Sequence, residues 1–419
     1  MQRAIQKYLR AHAEPEARAL VELLAAGNEV ALDWQQGVVV PARRESPRCL
    51  EAAAEPAARA RCLCVLVVNA SADDPEDRRA GEALLAALET TAPRWRSPEG
   101  ILALHRWGAL EVLAVDRCRG QRAFGPREGV GLARKIGADL LLALWAVGRL
   151  RSAWIHNTDA DARLPAEHFE RTETLDIGDV AAVAPFVHVP GGEPAVDAAT
   201  ARYEQSLRYY VAGLRWAGSA FAHHTIGSLI SVRAQAYAAV RGFPKREAGE
   251  DFYLLDKLAK LGSVRSLSGA PVRIQARRSS RVPFGTGPAV EAQLRGEALR
   301  VYDPRVFAVV AEVQRALETF AAGEGSAGLA ALVEAYPEIT ELRACLDAGE
   351  RLAARVDARQ LERRLPELFD GFRTLKLIHA LTAARWPKLG WDAAVAAAPF
   401  AAAIDQARAG SSRLDQDPA

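Results

Sequence analysis

Two aspartates one residue apart, Asp159 and Asp161 in Ala153-Trp-Ile-His-Asn-Thr-Asp-Ala-Asp-Ala-Arg-Leu-Pro165, carry the clearest chemical signal in the chain. An apolar run leads into them and the turn-forming Pro165 follows, so at a strand end they would present hard carboxylate oxygens at a cleft edge. Mg²⁺ or Mn²⁺ held by one or two carboxylates takes its other positions from water and substrate phosphates. The chemistry read from the pair is therefore a metal–diphosphate site, set against a solvated turn with two repelling carboxylates. A second acidic pair, Glu250-Asp251, stands in Ala248-Gly-Glu-Asp-Phe-Tyr-Leu-Leu-Asp-Lys-Leu258, after the turn Gly242-Phe-Pro244. It opens an amphipathic helix with Leu254, Leu255, Leu258 and Leu261 at helical spacing. A helix N-terminus stabilises a carboxylate, so simple capping accounts for one of these acids comfortably and for an adjacent pair less well.

These acids need elements to hold them. Strand-like apolar runs at 65–69, 110–115, 153–157, 180–186 and 226–232 alternate with helical patterns, which predicts an α/β unit. Residues 1–57 are rich in Ala, Glu and Arg and read as a helical N-terminal extension, with Gly27-Asn28 ending the first helix. From about 290 strand signals vanish, and Leu/Ala/Arg helices run to the disordered-looking tail Gly410–Ala419. The expected division is thus 1–57, 58–290 and 291–419. No internal repeat supports a solenoid.

Several segments match one family in the same order. Val65-Leu-Val-Val-Asn69 and Leu110-Glu-Val-Leu-Ala-Val-Asp116 look like its first and second nucleotide-binding strands. Gly129-Val-Gly-Leu-Ala-Arg-Lys-Ile-Gly137 looks like its Gly-x-x-x-Ala-Arg-Asn-x-Gly helix start. Ile226-Gly-Ser-Leu-Ile-Ser-Val-Arg233, Val240-Arg-Gly-Phe243 and Glu250-Asp251 follow the order of its acceptor-side block. With Asp159-x-Asp161, roughly residues 60–290 resemble the inverting, GT-A-fold glycosyltransferases of the family-two type. The resemblance implies a GT-A-like nucleotide-sugar-binding core, with a Rossmann-like central sheet, flanked by helical regions. It implies Asp161 as the direct metal ligand and Asp159 near the ribose or a metal-bound water. Asn69 and Asp116 would contact the nucleotide, Asp116 facing the nucleobase, with Arg134 beside the Asp-x-Asp acids. Asp251 would be the general base, with Glu250 raising its pKa or orienting the acceptor. The implied partners are a UDP- or GDP-linked sugar and an acceptor hydroxyl of unstated identity. Three departures stand out: Arg241 precedes Gly242-Phe243 where the family has Gly, Lys135 follows Ala133-Arg134 where it has Asn, and no Gln-x-x-Arg-Trp follows Glu250-Asp251. The last argues against a processive polysaccharide synthase.

Other residues leave their roles open. Arg277, Arg278 and Arg281 precede Val282-Pro-Phe-Gly-Thr-Gly287 and suit the root of a loop closing over a diphosphate, or a solvated edge. His223-His224 would serve as a third metal ligand or acceptor contact, or as packed histidines. The near-dinucleotide pattern Gly129-Val-Gly131-Leu-Ala-Arg134 has Arg where the third Gly belongs and lies well past its strand, so it is set aside. The aspartyl-phosphate phosphatase reading fails because polar His156-Asn-Thr158 precedes the aspartates. A nucleotidyltransferase would need a basic Gly-rich loop after its first strand, where acidic Asn69-Ala-Ser-Ala-Asp-Asp-Pro75 stands instead. A catalytically silent transferase-like scaffold is the remaining alternative; the presence of all four acids weighs against it.

Composition narrows the classes further. At 419 residues and 50% hydrophobic the chain can bury a large core, and a net charge of +2 with no long basic block gives no case for nucleic acid. Five cysteines without a Cys-x-x-Cys pair suit a reduced compartment better than a disulfide scaffold. The start Met1-Gln-Arg-Ala-Ile-Gln-Lys lacks the apolar stretch of a signal peptide, so a cytoplasmic location is expected. Peripheral membrane contact stays open through Phe372-Arg-Thr-Leu-Lys-Leu-Ile-His-Ala-Leu-Thr-Ala-Ala-Arg-Trp386, a basic, aromatic and amphipathic stretch.

Overall fold

A computed structural model describes residues 2–25, 33–51, 56–57, 59–279 and 285–404. The chain divides into two compact units. The first holds Met1–Pro190 and Thr225–Ala276; the second holds Gly191–His224, Arg277–Ser279 and the chain from Gly285 onward. These units do not coincide with the three regions read from composition.

The first unit is a mixed α/β structure built on a large sheet. Its strands are β1 (Gln36–Ala42), β2 (Cys62–Asn69), β3 (Trp95–Arg96), β4 (Leu102–Trp107), β5 (Leu110–Arg117), β6 (Trp154–Asn157), β7 (Ala162–Arg163), β8 (Asp179–Val183), β9 (Phe186–Val189), β10 (Ile230–Arg233), β11 (Ser263–Ser266) and β12 (Val272–Gln275). Nine of them form one sheet in the order β11-β8-β10-β6-β1-β2-β5-β4-β3, and β7-β12-β9 form a smaller one. The four central strands, β6, β1, β2 and β5, are mutually parallel, while β10 and β4 run antiparallel on either side. Parallel strands are covered on both faces and read as unbroken apolar runs; β2 is buried at every residue.

The helices of this unit are α1 (Gln2–Ala11), α2 (Pro15–Ala25), α3 (Pro75–Leu88), α4 (Val130–Ala146), α5 (Glu170–Glu173), α6 (Ala234–Ala239) and α7 (Glu250–Leu258). Helix α4 is buried continuously from Gly131 to Leu144. Two glycine contacts set its seat on β1: a Cβ on Gly137 would stand 2.4 Å from Val39 Cγ1, and one on Gly37 would stand 2.5 Å from Leu141 Cδ2. The polar members of so buried a helix must be satisfied internally. Asp139 accepts from Tyr8 Oη (2.6 Å), Tyr237 Oη (2.9 Å), the Glu14 amide (2.8 Å) and Lys135 Nζ (3.0 Å), and Lys135 Nζ also donates to Tyr8 Oη at 2.6 Å. Burial pushes the Asp139 carboxyl up, against the pull of Lys135 and the hydrogen bonds. Lys135, which stands where the resembled family has Asn, therefore ties α1 to α4 and α6.

The helical reading of 1–57 holds for α1 and α2 but is corrected at Gln36–Ala42. That segment is a strand at the heart of the sheet, paired residue for residue with Cys62–Val68 and joined to β6 at Val38–His156 and Val39–Asn157. Its apolar signal is short, three valines before Pro41, and a proline argues against a central strand; here it is tolerated beside Val67. In consequence Val65–Asn69 belongs to the second parallel strand and Leu110–Asp116 to the third. The run expected at 180–186 is also two strands, β8 and β9, split at Ala184-Pro185.

The second unit is helical. Its long helices are Pro194–Trp216, Thr286–Leu294, Pro304–Ala321, Ala327–Ala335, Thr340–Ala353, Ala358–Leu368 and Gly371–Ala384, with one short ladder between Arg300–Val301 and Leu389–Gly390. Tyr209, Phe307 and Phe400 meet edge to face at its core, with ring centroids 5.2–6.0 Å apart. The stretch read as a candidate interfacial helix spends its apolar face in this core, through Leu377, Ile378 and Leu381. Among the described residues no helix is long and apolar enough to cross a membrane.

Candidate functional site

The parallel strands end together at one edge of the sheet, carrying Ala42, Asn69, Arg117 and Asn157. The chain runs from β1 outward to β2 and β5, then returns to the other side of β1 as β6. That reversal makes the carboxyl ends of β1 and β6 a topological switch point, the general ligand position of open α/β sheets. Asn157-Thr158-Asp159-Ala-Asp161 runs out of β6 at this point, and the Thr158 amide still bonds the Val39 carbonyl at 3.0 Å. Asp161 is fixed from the smaller sheet, where its carbonyl accepts the Gln275 amide at 3.0 Å.

Arg134 joins the two acidic motifs. Its Nη2 donates to Asp159 Oδ1 at 2.6 Å, its Nε to Glu250 Oε1 at 2.9 Å, and its Nη1 reaches the Thr158 carbonyl at 3.4 Å. Arg134 and Glu250 are 2% and 3% exposed, so this is a buried pair rather than a surface arginine. Burial alone would lower the guanidinium pKa; Asp159, Glu250 and Asp251 raise it instead. Gly227 explains how the guanidinium fits, because a Cβ there would stand 2.2 Å from Nη2. Gly129 and Gly131 do not cradle a phosphate. A Cβ on Gly131 would meet the Pro244 and Arg246 carbonyl oxygens at 2.5 and 2.7 Å, and one on Gly129 would meet Glu247 Cα at 2.8 Å. They let the start of α4 lie against the backbone of 244–247, three residues before Glu250. Gly249, at φ +75°, then turns the chain into α7.

Asp251 is partly exposed, and its Oδ1 accepts the Phe252 amide at 2.7 Å. Its carboxyl is pushed up to about 7, first by burial and then by the neighbouring charge of Glu250, with Asp159 adding and Arg134 and the amide opposing. Glu250 is held by Arg134; Asp251 carries the carboxyl poised near neutrality.

The remaining expected residues fall as follows. Asn69 ends β2 with its Oδ1 buried and without a partner among the described residues, as are Asn157 Oδ1, Thr158 Oγ1 and Ser228 Oγ. Buried polar atoms of this kind are exceptional. Asp116 is internally engaged: Oδ1 accepts the Cys118 and Arg119 amides at 3.2 and 3.1 Å, and Oδ2 accepts Arg122 Nη1 at 2.9 Å. Arg277, His223 and His224 belong to the second unit, and Arg281 lies outside the described residues. Burial pushes His223 down to about 4 and His224 to about 3, which keeps both neutral. Arg278 faces Glu193 and Glu291 at 3.5 and 3.4 Å within that same unit. All five cysteines are free and buried; burial pushes Cys49 and Cys118 up to about 12, so neither is a poised thiolate.

Sequence reading missed two features of this edge. Arg43 and Arg44 follow β1 directly; Arg43 Nε bonds Asp77 Oδ2 at 2.5 Å, and Arg44 pairs with Asp77 and Asp74. Their signal was the Arg-Arg pair after the overlooked valine run. The cradle role of Gly227 had no signal beyond the glycine itself. Among the described residues no three His, Cys, Asp or Glu side chains are grouped to hold a metal ion by themselves.

No family model and no curated protein sequence matches this chain. Among solved structures, S. aureus TarS 1–349 in complex with UDP-GlcNAc aligns over 80% of this chain and 91% of its own, at 12% identity and a TM-score of 0.36. S. aureus TarS 1–349 without that ligand in its description gives the same coverages at 14% identity and 0.34. A longer S. aureus TarS structure aligns at 13% identity and 0.34, with 55% of its chain covered. So slight a likeness does not carry function, which is read from the residues of the site.

Proposed function

We propose that this protein is a glycosyltransferase that moves a sugar from a nucleotide-diphospho-sugar to an acceptor hydroxyl, with inversion and without processive polymerisation. The observation that carries the reading is Arg134 bridging Asp159 and Glu250 at 2.6 and 2.9 Å, which unites the Asp-x-Asp and Glu-Asp motifs beside a carboxyl poised near 7. A general base works best with a pKa near the operating pH. Asp251 would take the acceptor hydroxyl's proton as that oxygen attacks the anomeric carbon and the diphosphate departs from the opposite face. Arg134 and Glu250 would hold the base and the aspartates in register.

The donor set fits Mn²⁺ or Mg²⁺. Asp159 and Asp161 are partly exposed hard-oxygen donors just past the end of β6, and the Asp159 side chain keeps 34% of its surface accessible while Arg134 holds Oδ1. Two carboxylates suit a cation that draws further ligands from phosphates and water. Such an ion, when bound, neutralises charge developing on the leaving diphosphate. Asn69, at the end of the second parallel strand, would contact the nucleoside through its unpartnered Oδ1. Asp116 would have to release Arg122 to do the same.

The test is thermal-shift binding of UDP, GDP, CMP and ATP, each with Mn²⁺ and with EDTA, on wild type and Asp161→Ala. A metal-dependent rise with one nucleoside diphosphate, absent in the variant, is the expected result and names the base. No rise with any nucleotide on folded protein would sink the reading.

A further inference from the structure

Helices α1 and α2 carry none of the residues that the proposed reaction uses, yet the turn between them reaches the segment that leads to Asp251. The His12 and Ala13 amides both bond the Tyr8 carbonyl, at 2.8 and 3.1 Å, which ends α1 and turns the chain into Glu14-Pro15-Glu16. The Glu14 amide is fixed on Asp139 of α4 at 2.8 Å. The Glu14 carboxylate accepts from Lys245 Nζ, at 2.8 Å through Oε1 and 3.0 Å through Oε2. Just before Lys245 the chain passes against Tyr8: Gly242 stands at φ +70°, and a Cβ there would lie 2.4 Å from Tyr8 Oη. Just after it, the Arg246 carbonyl accepts the Gly131 amide of α4 at 3.2 Å. The Arg246 guanidinium lies 4.0 Å from the ring centroid of Tyr253, in the first turn of α7. The stretch from Gly242 to Arg246 is thus held by α4 on one side and by the α1–α2 turn on the other.

Burial separates this ion pair from ordinary surface charge. The Glu14 side chain is 9% exposed against 52% for Lys245, and the Glu14 backbone is itself immobilised on Asp139. The fixed member is therefore the carboxylate, and Lys245 brings its segment to it. A buried ion pair adds little stability over well-packed apolar residues, and its best-attested use is to fix register. A second carboxylate of the same turn supplies a reference. Glu16, with its side chain 3% exposed, faces Arg117 Nε at 3.5 Å, at the end of β5 rather than before α7.

We propose that Glu14 and Lys245 are positioning residues of the candidate site: the α1–α2 turn fixes the segment 242–249 and so sets where α7 begins and where Asp251 stands. The inference deepens the transferase reading and rests on it only for the role of Asp251 as a base.

The test is hydrogen exchange on the full chain with no nucleotide added. It is followed at the Phe252 and Tyr253 amides, which bond Asp251 Oδ1 and the Gly249 carbonyl. Lys245→Ala, at a half-exposed position that tolerates truncation, should speed their exchange at least about fivefold. Lys245→Arg can remake the pair and should exchange as wild type does. Glu16→Gln breaks the other buried pair of the same turn and should leave these two amides unchanged. Wild-type exchange in Lys245→Ala, or an equal rise in Glu16→Gln, overturns the positioning role. Once a donor is named by the nucleotide screen, Lys245→Ala should also lower kcat at least about fivefold while donor KM stays within about twofold. Faster exchange with kcat unmoved would uphold the positioning of the segment and sink Asp251 as the base.

Discussion

At the scale of single residues, one guanidinium holds the candidate site together. Arg134 bonds Asp159 and Glu250 directly and acts on Asp251 through its charge. Arg134→Ala leaves Glu250 buried without its cation, a change that costs about 3–5 kcal/mol, read as a fall in urea midpoint. Arg134→Lys keeps the charge but loses the fork; a cost of about 1–3 kcal/mol is expected for the hydrogen bond it cannot remake. Under the proposed reaction Asp251→Asn lowers kcat about 10²–10⁴-fold, and the wild-type rate should climb with pH to a plateau above 7. Stability runs the other way. With its folded pKa raised from 3.8 to about 7, Asp251 contributes stability below its unfolded pKa, and that contribution is lost as pH rises through 7. The Asn variant cannot ionise, so its Tm should exceed that of wild type at pH 8 and the advantage should shrink toward pH 4. A Tm difference independent of pH would contradict the raised carboxyl. The acids were legible in the sequence, because Asp-x-Asp and Glu-Asp state their chemistry in their spacing. The raised carboxyl was foreseeable only as like-charge repulsion, whereas burial is its larger cause.

At the scale of elements, the glycines of α4 decide where the acids sit. Gly131 lies against carbonyl oxygens of Pro244 and Arg246, backbone atoms that cannot swing away. Gly131→Ala should therefore cost about 1–3 kcal/mol by overpacking and disturb the segment that leads to Glu250. Gly178 is the contrast, with no neighbour within 4 Å of the place a Cβ would take: Gly178→Ala should stay within about 0.5 kcal/mol of wild type. Equal losses in thermal denaturation would show that the close approach is not what Gly131 is for. The pattern Gly129-x-Gly131 is plain in the sequence, but a glycine is equally suited to a phosphate, a turn or a neighbouring backbone. Only the fold shows which of these it meets. Lys135 is a similar case: as a letter it is a departure from the resembled family, and in the structure it is half of a buried cluster that seats α1.

At the scale of the whole chain, the boundaries matter. A chain begun at residue 58 would lack β1, which stands between β2 and β6 in the sheet, and it should fail to give a cooperative melt. A chain ended at residue 290 would keep helix Pro194–Trp216 but lose Phe307 and Phe400, against which Tyr209 packs. It should aggregate or show exposed apolar surface by dye binding. Soluble, cooperatively folding protein from both truncations would restore the division read from composition. By itself the sequence determined the α/β class of the core, the helical character of the region past 290, and the two acidic motifs. Each of these is written locally, in strand-length apolar runs, helical spacing or adjacent carboxylates. Only the tertiary structure decided that β1 is central, that helix 194–216 belongs with the C-terminal helices, and that Arg134 spans both motifs. Those facts depend on contacts between residues far apart in the chain, such as Val38 with His156, Arg134 with Glu250 and Tyr209 with Phe400, and local sequence pattern carries no record of which distant surface a side chain will meet.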